Sequence, residues 1–373
     1  MSIAAEVAER GAQVTLVDHG SPGGGTSSTS FAWVNANGKE PFEYFEINRL
    51  GLEAHRRLAG AGNNWFGAGG HIEIASTGEH GDRLQDRVEQ LKSRDYPAEI
   101  LTRPKANHFA PDVRIPDNTA LIALFSAEGY VHSFLYVAHR LGQARAGGVR
   151  FMSGKVVRFE ETGGGGVKVA LDTGSVLDAD VVISAVGRWT AELAALADVK
   201  VPMLSFATAG DVTVGYLAET SPVPVRLDYV VTGPQLNVRP AGGGRLTLQA
   251  LDLDATAAPS RVTGRSRTLA NEFQRRVREL LVGGEYALVE RIVVGVRAMP
   301  EDGRTIAGWT RGSPWLYVVA THSGVTLAPY LGVAVAEEVD GHEQPELSTF
   351  RPDRFDHGKS FATTTAPRRP GEQ

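Results

Sequence analysis

Apolar and polar positions follow two periods along this chain, and each change of period marks an element. Ile3, Ala4, Val7 and Ala8 share one face of a 3.6-residue helix, with Glu6, Glu9 and Arg10 opposite. Gly11 stops that helix, because glycine enters the left-handed conformation at little cost. Val14, Leu16 and Val17 then form a short apolar strand that ends on Asp18. Residues 19–39 are rich in glycine and hydroxyls and read equally as a flexible connector or a ligand loop. Helical spacing returns over 42–58 and 82–94, with a strand at 70–77 between them, and Pro104, Pro111 and Pro116 then punctuate an irregular stretch. A helix over 133–146 ends at Gly147 and Gly148. Residues 155–187 alternate as strands around a glycine hairpin tip at 163–166, and the apolar run after Asp180 suits a strand buried on both faces. Strand patterns dominate 203–249, with a hairpin over 236–250, and a long helix is predicted over 265–281. A strand at 292–296, another at 316–320 and a helix over 326–339 close the pattern, and the tail beyond Arg354 lacks apolar periodicity and is expected to be disordered.

The order α/β, mixed β, α/β predicts an α/β fold in which a Rossmann-like nucleotide-binding domain is assembled from separated segments. Those segments are 1–45, 128–202 and 292–355, with a β-rich α+β substrate domain formed by 46–127 and 203–291 and a tail at 356–373. A length of 373 residues accommodates two domains, and no tandem repeat is present. The net charge of −5 gives no electrostatic reason to expect nucleic acid or an anionic membrane. Cysteine is absent, which excludes disulfides, cysteine nucleophiles, thiolate metal sites and a cysteinyl-linked flavin, and fits a reducing cytoplasm. No apolar run reaches the roughly 18 residues of a membrane helix, and Glu6, Glu9 and Arg10 do not suit a secretory signal. A cytoplasmic location is the expectation.

Helix, turn, strand and terminal acid over 2–18 match the later part of a dinucleotide-binding unit, in which Asp18 would accept hydrogen bonds from a ribose. The preceding strand and G-x-G-x-x-G turn are not in the sequence, since Met1 falls where the residue after the last glycine belongs. The expectation is that the reading frame upstream of Met1 encodes about 12–15 further residues carrying them. Thr26, Ser27 and Ser28 offer hydroxyls and amides to pyrophosphate oxygens. Gly187 and Trp189 end a strand, where open α/β sheets bind ligands. Ser323 is not a nucleophile elbow, because Thr321 and Val325 stand where that motif needs glycine. His71-Ile-Glu73 lacks the P-C-x-x-C of a zinc deaminase and H-E-x-x-H does not occur, so no metal site is expected.

Three segments together resemble the D-amino acid oxidase and glycine oxidase family of FAD-dependent oxidoreductases. They are VTLVDHGSPGGGTSSTS, ADVVISAVGRWTAEL, and the pair GVRAMPEDGRTIAG and LYVVATHSGVTLAPYLG. The resemblance spans most of the chain, more loosely in the middle, and implies a two-domain flavoprotein of the p-hydroxybenzoate-hydroxylase type. It implies non-covalent FAD, with Val156 at the adenine and His322, Ser323, Gly324, Val325 and Thr326 along the flavin N1–C2 edge. There the start of the last helix, with Pro329 in its first turn, would stabilise negative charge on the reduced flavin. Arg297 would grip the substrate carboxylate, and Ala298 stands where the family has proline. Arg239, Tyr229 and Asn237 are further candidates to face the flavin ring. The implied reaction is oxidation of an amine or amino acid, with oxygen or a protein acceptor taking the electrons. Two alternatives stay open: a non-catalytic relic, and a flavoprotein that works only beside a partner.

Overall fold

The computed structural model describes residues 1–60, 62–76, 78–259 and 266–356. Helix Ser2–Glu9 lies between helix Ser133–Ala146 and the C-terminal helix Gly324–Val339, and so is buried on more than one face. Ala4, Ala5 and Ala8 pack on Ala144 and Val149, while Ile3 joins the core around Leu327, Leu331 and Val335. Strand Thr15–Asp18 follows Gly11 (φ +92°) and pairs in parallel with Arg150–Ser153. A second parallel pair joins Val182–Ser184 to Leu316–Ala320, with Ile306–Trp309 antiparallel on the far side. Every residue of Leu316–Ala320 is buried, as a central strand requires. Val182–Ser184 is an edge strand with Val182 and Ile183 half-buried, so the both-faces burial expected after Asp180 belongs to its neighbour instead. Strands Val156–Glu161, Val167–Leu171 and Val176–Ala179 form an antiparallel sheet turned at 163–166, as expected of that glycine tip.

The largest sheet orders its strands Val289–Val296, Val214–Thr220, Arg245–Gln249, Asn237–Gly242, Val230–Thr232, His71–Ser76, Thr119–Phe125 and Ala98–Ile100. All its pairings are antiparallel except Val230–Thr232 with His71–Ser76, which joins the two middle segments of the chain. Helix Arg267–Leu280 covers one face through Phe273 and Val277, packed with Tyr216, Val238 and Leu248. The stretch read as irregular holds helix Arg103–Phe109 and strand Thr119–Phe125. Pro104 sits at the start of that helix, where a missing N–H costs no hydrogen bond. The expected tail lies, from residue 357, outside the described residues, and so do Thr77 of the predicted strand and Arg265 of the predicted helix.

Candidate active site

Two parallel strands end near the hydroxyl-rich loop and bring distant segments together. Asp18 ends the first, its Oδ1 accepting the Gly20 amide at 2.9 Å while the carboxylate stays half exposed. The loop folds into a 3₁₀ turn over Thr26–Thr29, pinned by its own hydroxyls. Thr26 Oγ1 donates to the Val296 carbonyl at 2.7 Å, and Ser28 Oγ to the Gly25 carbonyl at 2.8 Å. At the end of the second strand, Gly187 takes φ +61° and turns the chain into Trp189, whose ring lies 3.8 Å from the place a Cβ on Gly25 would occupy. Arg188 stacks on Trp189 at 3.9 Å and donates to Thr26 Oγ1 at 3.3 Å. Val156 packs in the same cluster as Val17, one residue before Asp18. Ser184 Oγ, at the very end of its strand, is buried with no hydrogen-bond partner among the described residues.

The C-terminal helix begins among hydroxyls. Tyr44 OH and Ser323 Oγ are 2.9 Å apart, Thr321 Oγ1 accepts the Ser323 amide at 3.1 Å, and Thr305 Oγ1 lies 2.8 Å from Thr321 Oγ1. Burial pushes the Tyr44 phenol up from its ordinary value, so it stays protonated. The amides of Gly324, Val325 and Thr326 have no carbonyl one turn earlier in the helix to bond. Thr326 Oγ1 donates to the Trp33 carbonyl at 3.3 Å, tying this end to the loop. Pro329 lies in the second turn rather than the first, because the helix starts at Gly324. It therefore leaves the Val325 carbonyl without its helical donor, and the buried His55 fills the place through Nε2 at 2.8 Å.

These two clusters carry the sequence-derived cofactor residues, and their donors could hold an anionic dinucleotide. They consist of turn and helix-start amides, hydroxyls and Ser184 Oγ, unpartnered among the described residues, with Asp18 at the end of the neighbouring strand.

Beside the turn, a cavity of about 230 Å³ opens against the face of the large sheet opposite helix Arg267–Leu280. Ser27 and Ser28 form one wall, Phe134 and Leu135 another, and the sheet supplies Glu219, Thr247 and Arg239. Arg239 is buried, and its guanidinium donates to the carbonyls of Phe31 and Pro240. It also lies 5.8 Å from the Phe31 ring and 5.7 Å from that of Tyr130. Burial lowers its pKa to about 10, so it remains a cation at neutral pH.

Arg297 is placed differently. Its Nη1 donates to the carbonyls of Val212 and Val214, and its Nη2 lies 3.3 Å from Asp254 Oδ2. Asp254 Oδ1 in turn accepts the Tyr216 amide at 2.7 Å. The head group fills the room left by Gly215, which admits no Cβ there, and burial holds its pKa below the ordinary value. The turn Thr26–Thr29 crosses this face at Gly295, where a Cβ would come within 2.7 Å of the Thr29 carbonyl. Arg291 and Val293 line the cavity on one side of that crossing, and Arg297 lies on the other. Tyr229 packs on Phe109 and Asn237 bonds Gln249 at 3.4 Å, neither on the cavity wall.

Sequence reasoning missed Glu219, Thr247 and Arg291, whose only local signal is a polar residue at alternate positions of an apolar strand. It also missed a buried network on Glu128. This carboxylate accepts Trp33 Nε1 at 2.9 Å, the Asn37 amide at 3.0 Å and Tyr96 OH at 2.9 Å, with His71 Nδ1 at 3.3 Å. Among the described residues, no cluster of potential metal ligands exists, and no helix is long and apolar enough to cross a membrane.

Parallel pairs under helices, joined to a large, mostly antiparallel sheet with a pocket on one face, define a mixed α/β protein. Residues 1–338 match the family model described as FAD dependent oxidoreductase, and the chain belongs to that DAO family. A D-amino acid dehydrogenase of Agrobacterium fabrum is 24% identical over 288 residues, covering 75% of this chain and 65% of that protein. The chain thus spans about two-thirds of the length of that relative. Glycine oxidase from Geobacillus kaustophilus has the same fold with a TM-score of 0.82 at 22% identity, covering 95% of each chain. Iminodiacetate oxidase from Chelativorans sp. gives 0.77 at 21%, covering 94% of this chain and 95% of that one. L-Proline dehydrogenase from P. horikoshii gives 0.82 at 17%, covering 96% and 95%.

Proposed function

We propose that this protein oxidises the C–N bond of an amine that carries a carboxylate, a D-amino acid, glycine or an N-alkyl amino acid, with non-covalent FAD. The observation that carries this reading is a small cavity with a buried cation in its wall, bounded by Ser27 and Ser28 of the hydroxyl turn. Membership of the FAD family and the amino acid substrates named for its relatives support it. Asp18 would hold the adenosine ribose, Val156 the adenine, and Thr26, Ser27 and Ser28 the pyrophosphate. Gly187 and Trp189 would border the flavin, and residues His322 through Thr326 its pyrimidine edge.

Bound FAD supplies the two-electron acceptor for the C–H bond beside the substrate nitrogen. The chain's own residues do the positioning. A cation of the cavity wall would fix the carboxylate, and so which C–H bond faces the cofactor. Phe134 and Leu135, both exposed, give the cavity an apolar wall on one side. The substrate nitrogen must be neutral to release its electron pair, and Glu219, on the same wall, can take the ammonium proton. The substrate loses two electrons and becomes an imine, which water hydrolyses to an oxo acid and an amine or ammonia.

Anaerobic titration of the flavin-loaded protein with D-amino acids, glycine, sarcosine and simple amines tests this. Bleaching of the flavin by at least one amino acid is expected. A flavin that no member of the panel reduces would leave the non-catalytic or partner-dependent reading in its place.

A further inference from the structure

The hydroxyls of the Thr26–Thr29 turn are oriented by the bonds they make. Thr26 Oγ1 gives its proton to the Val296 carbonyl at 2.7 Å, and Ser28 Oγ to the Gly25 carbonyl at 2.8 Å. Thr29 Oγ1 gives its own to the Thr26 carbonyl at 3.3 Å. A hydroxyl has one proton, so as the turn stands these three present lone pairs to a ligand and no O–H. Ser27 makes no such bond among the described residues. Lone pairs repel an anion, so most of what holds one here must come from amides or from a cation.

That cation is Arg188. Gly187, at φ +61°, turns the chain beyond strand Val182–Ser184 and brings Arg188 to the hydroxyl turn. The guanidinium lies 3.9 Å over the Trp189 ring, and its Nη1 donates to Thr26 Oγ1 at 3.3 Å. The stack holds the side chain in place, and the Thr26 bond uses one of its five N–H donors. Among the described residues Arg188 makes no ion pair and no other hydrogen bond. Arg140, Arg276 and Arg351, also withdrawn from solvent, each meet a carboxylate. Burial lowers the Arg188 pKa with no acid beside it to raise it, and the group remains a cation.

From this arrangement we propose that Arg188 is a cofactor-binding residue, the positive charge that meets the diphosphate of a dinucleotide at the Thr26–Thr29 turn. Its free donors suit phosphate oxygens taken in pairs. Thr26 and Ser27 then serve through their backbone amides, and the Thr26 hydroxyl steadies the guanidinium. The proposal deepens the functional reading above and rests on it for the identity of the dinucleotide as FAD.

The test uses the full, dialysed chain and reads binding apart from turnover. FAD, ADP, adenosine and riboflavin are titrated by calorimetry into wild type, R188K and R188M, at low and high KCl. The wild type is expected to bind FAD and ADP. R188M should weaken both about tenfold or more, and R188K should recover part of the loss. Any binding of adenosine or riboflavin should be the same in all three proteins, since neither carries a phosphate. The dependence of FAD affinity on KCl should be shallower in R188M, because one charged contact is gone. The Tm of the flavin-free chain should stay within about 2 °C, since methionine keeps an apolar stem on Trp189. If R188M is unstable, R188K serves as the folded comparison, weaker than wild type for the two diphosphates alone. FAD and ADP affinities that survive R188M, a KCl dependence that it leaves unchanged, or a wild type that binds neither ligand would overturn the proposal. Diphosphate binding lost in R188M beside a flavin that no amine reduces keeps Arg188 in its role and removes the oxidation reading. A flavin reduced by amines but held without regard to Arg188 does the reverse.

Discussion

His55 and Pro329 form a pair that neither residue explains alone. Proline has no N–H for the Val325 carbonyl, and the imidazole of a different helix supplies one at 2.8 Å. The donation needs a proton on Nε2, which the neutral ring can carry, and burial lowers the ring's pKa from 6.5 to about 4. The folded value lies below the unfolded one, so His55 is silent above pH 6.5 and favours the unfolded chain as pH falls from 6.5 towards 4. Two and a half units correspond to about 3 kcal/mol lost across that window. Urea denaturation of the wild type and His55→Leu at a series of pH values checks it. The variant should start about 1–3 kcal/mol less stable at pH 7, from the orphaned carbonyl, and should lack this part of the acid slope. Parallel slopes in the two proteins would show that His55 does not carry it. At the same scale, Arg297→Ala removes the arginine that faces the buried Asp254 carboxylate and should cost about 1–3 kcal/mol. Chemical denaturation measures that loss, and the ratio of flavin to protein should be unchanged in the material that folds.

Elements here meet through glycines that no single-strand pattern announces. Helix Phe42–Ala59 approaches the start of the C-terminal helix so closely that a Cβ on Gly51 would lie 2.5 Å from the Thr326 carbonyl. The neighbour is backbone and cannot step aside. Gly51→Ala should therefore cost about 1–3 kcal/mol and push the helix start out of place. Its distinguishing result is flavin content: the variant should purify with less flavin than the wild type even when fully folded by circular dichroism. Unchanged flavin content would mean that the helix start does not hold the cofactor. The helix itself was legible in the sequence because its apolar period is long and unbroken, and 133–146 was legible for the same reason plus the glycine stop. Helix Arg103–Phe109 was not, because a proline opens helices as well as breaking them and the sequence alone does not say which. Strand Thr119–Phe125 was hidden by the same proline-rich context.

At the scale of the molecule, the local motifs of the candidate site could be read, and its cavity could not. Asp18, the hydroxyl turn and the last helix start are continuous phrases with a physical meaning of their own. Arg239 and Glu219 come onto one cavity wall only when three strands align them across Thr247, which depends on sheet register. Arg297 belongs to a local motif, but its ion-pair partner Asp254, 43 residues away in sequence and 3.3 Å from its Nη2, could not be read from it. The proposed FAD contacts draw on five separated stretches, so the cofactor should act as a staple for the whole fold. With no cysteine in the chain to form a thioether, the bond is expected to be non-covalent. Two consequences follow from mass action. Flavin should leave the polypeptide in acid, and thermal stability should depend on free FAD, gaining about 1.4 kcal/mol for each tenfold rise above Kd. For a chain of this length that is a rise in Tm of about 1–3 °C per decade. Differential scanning fluorimetry of dialysed protein across FAD concentrations measures the slope, with riboflavin as the control for the pyrophosphate and adenosine contacts. Riboflavin should give little shift, because it reaches only the residues around Trp189 and His322. A Tm indifferent to FAD, or flavin that stays with the acid pellet, would refute the staple.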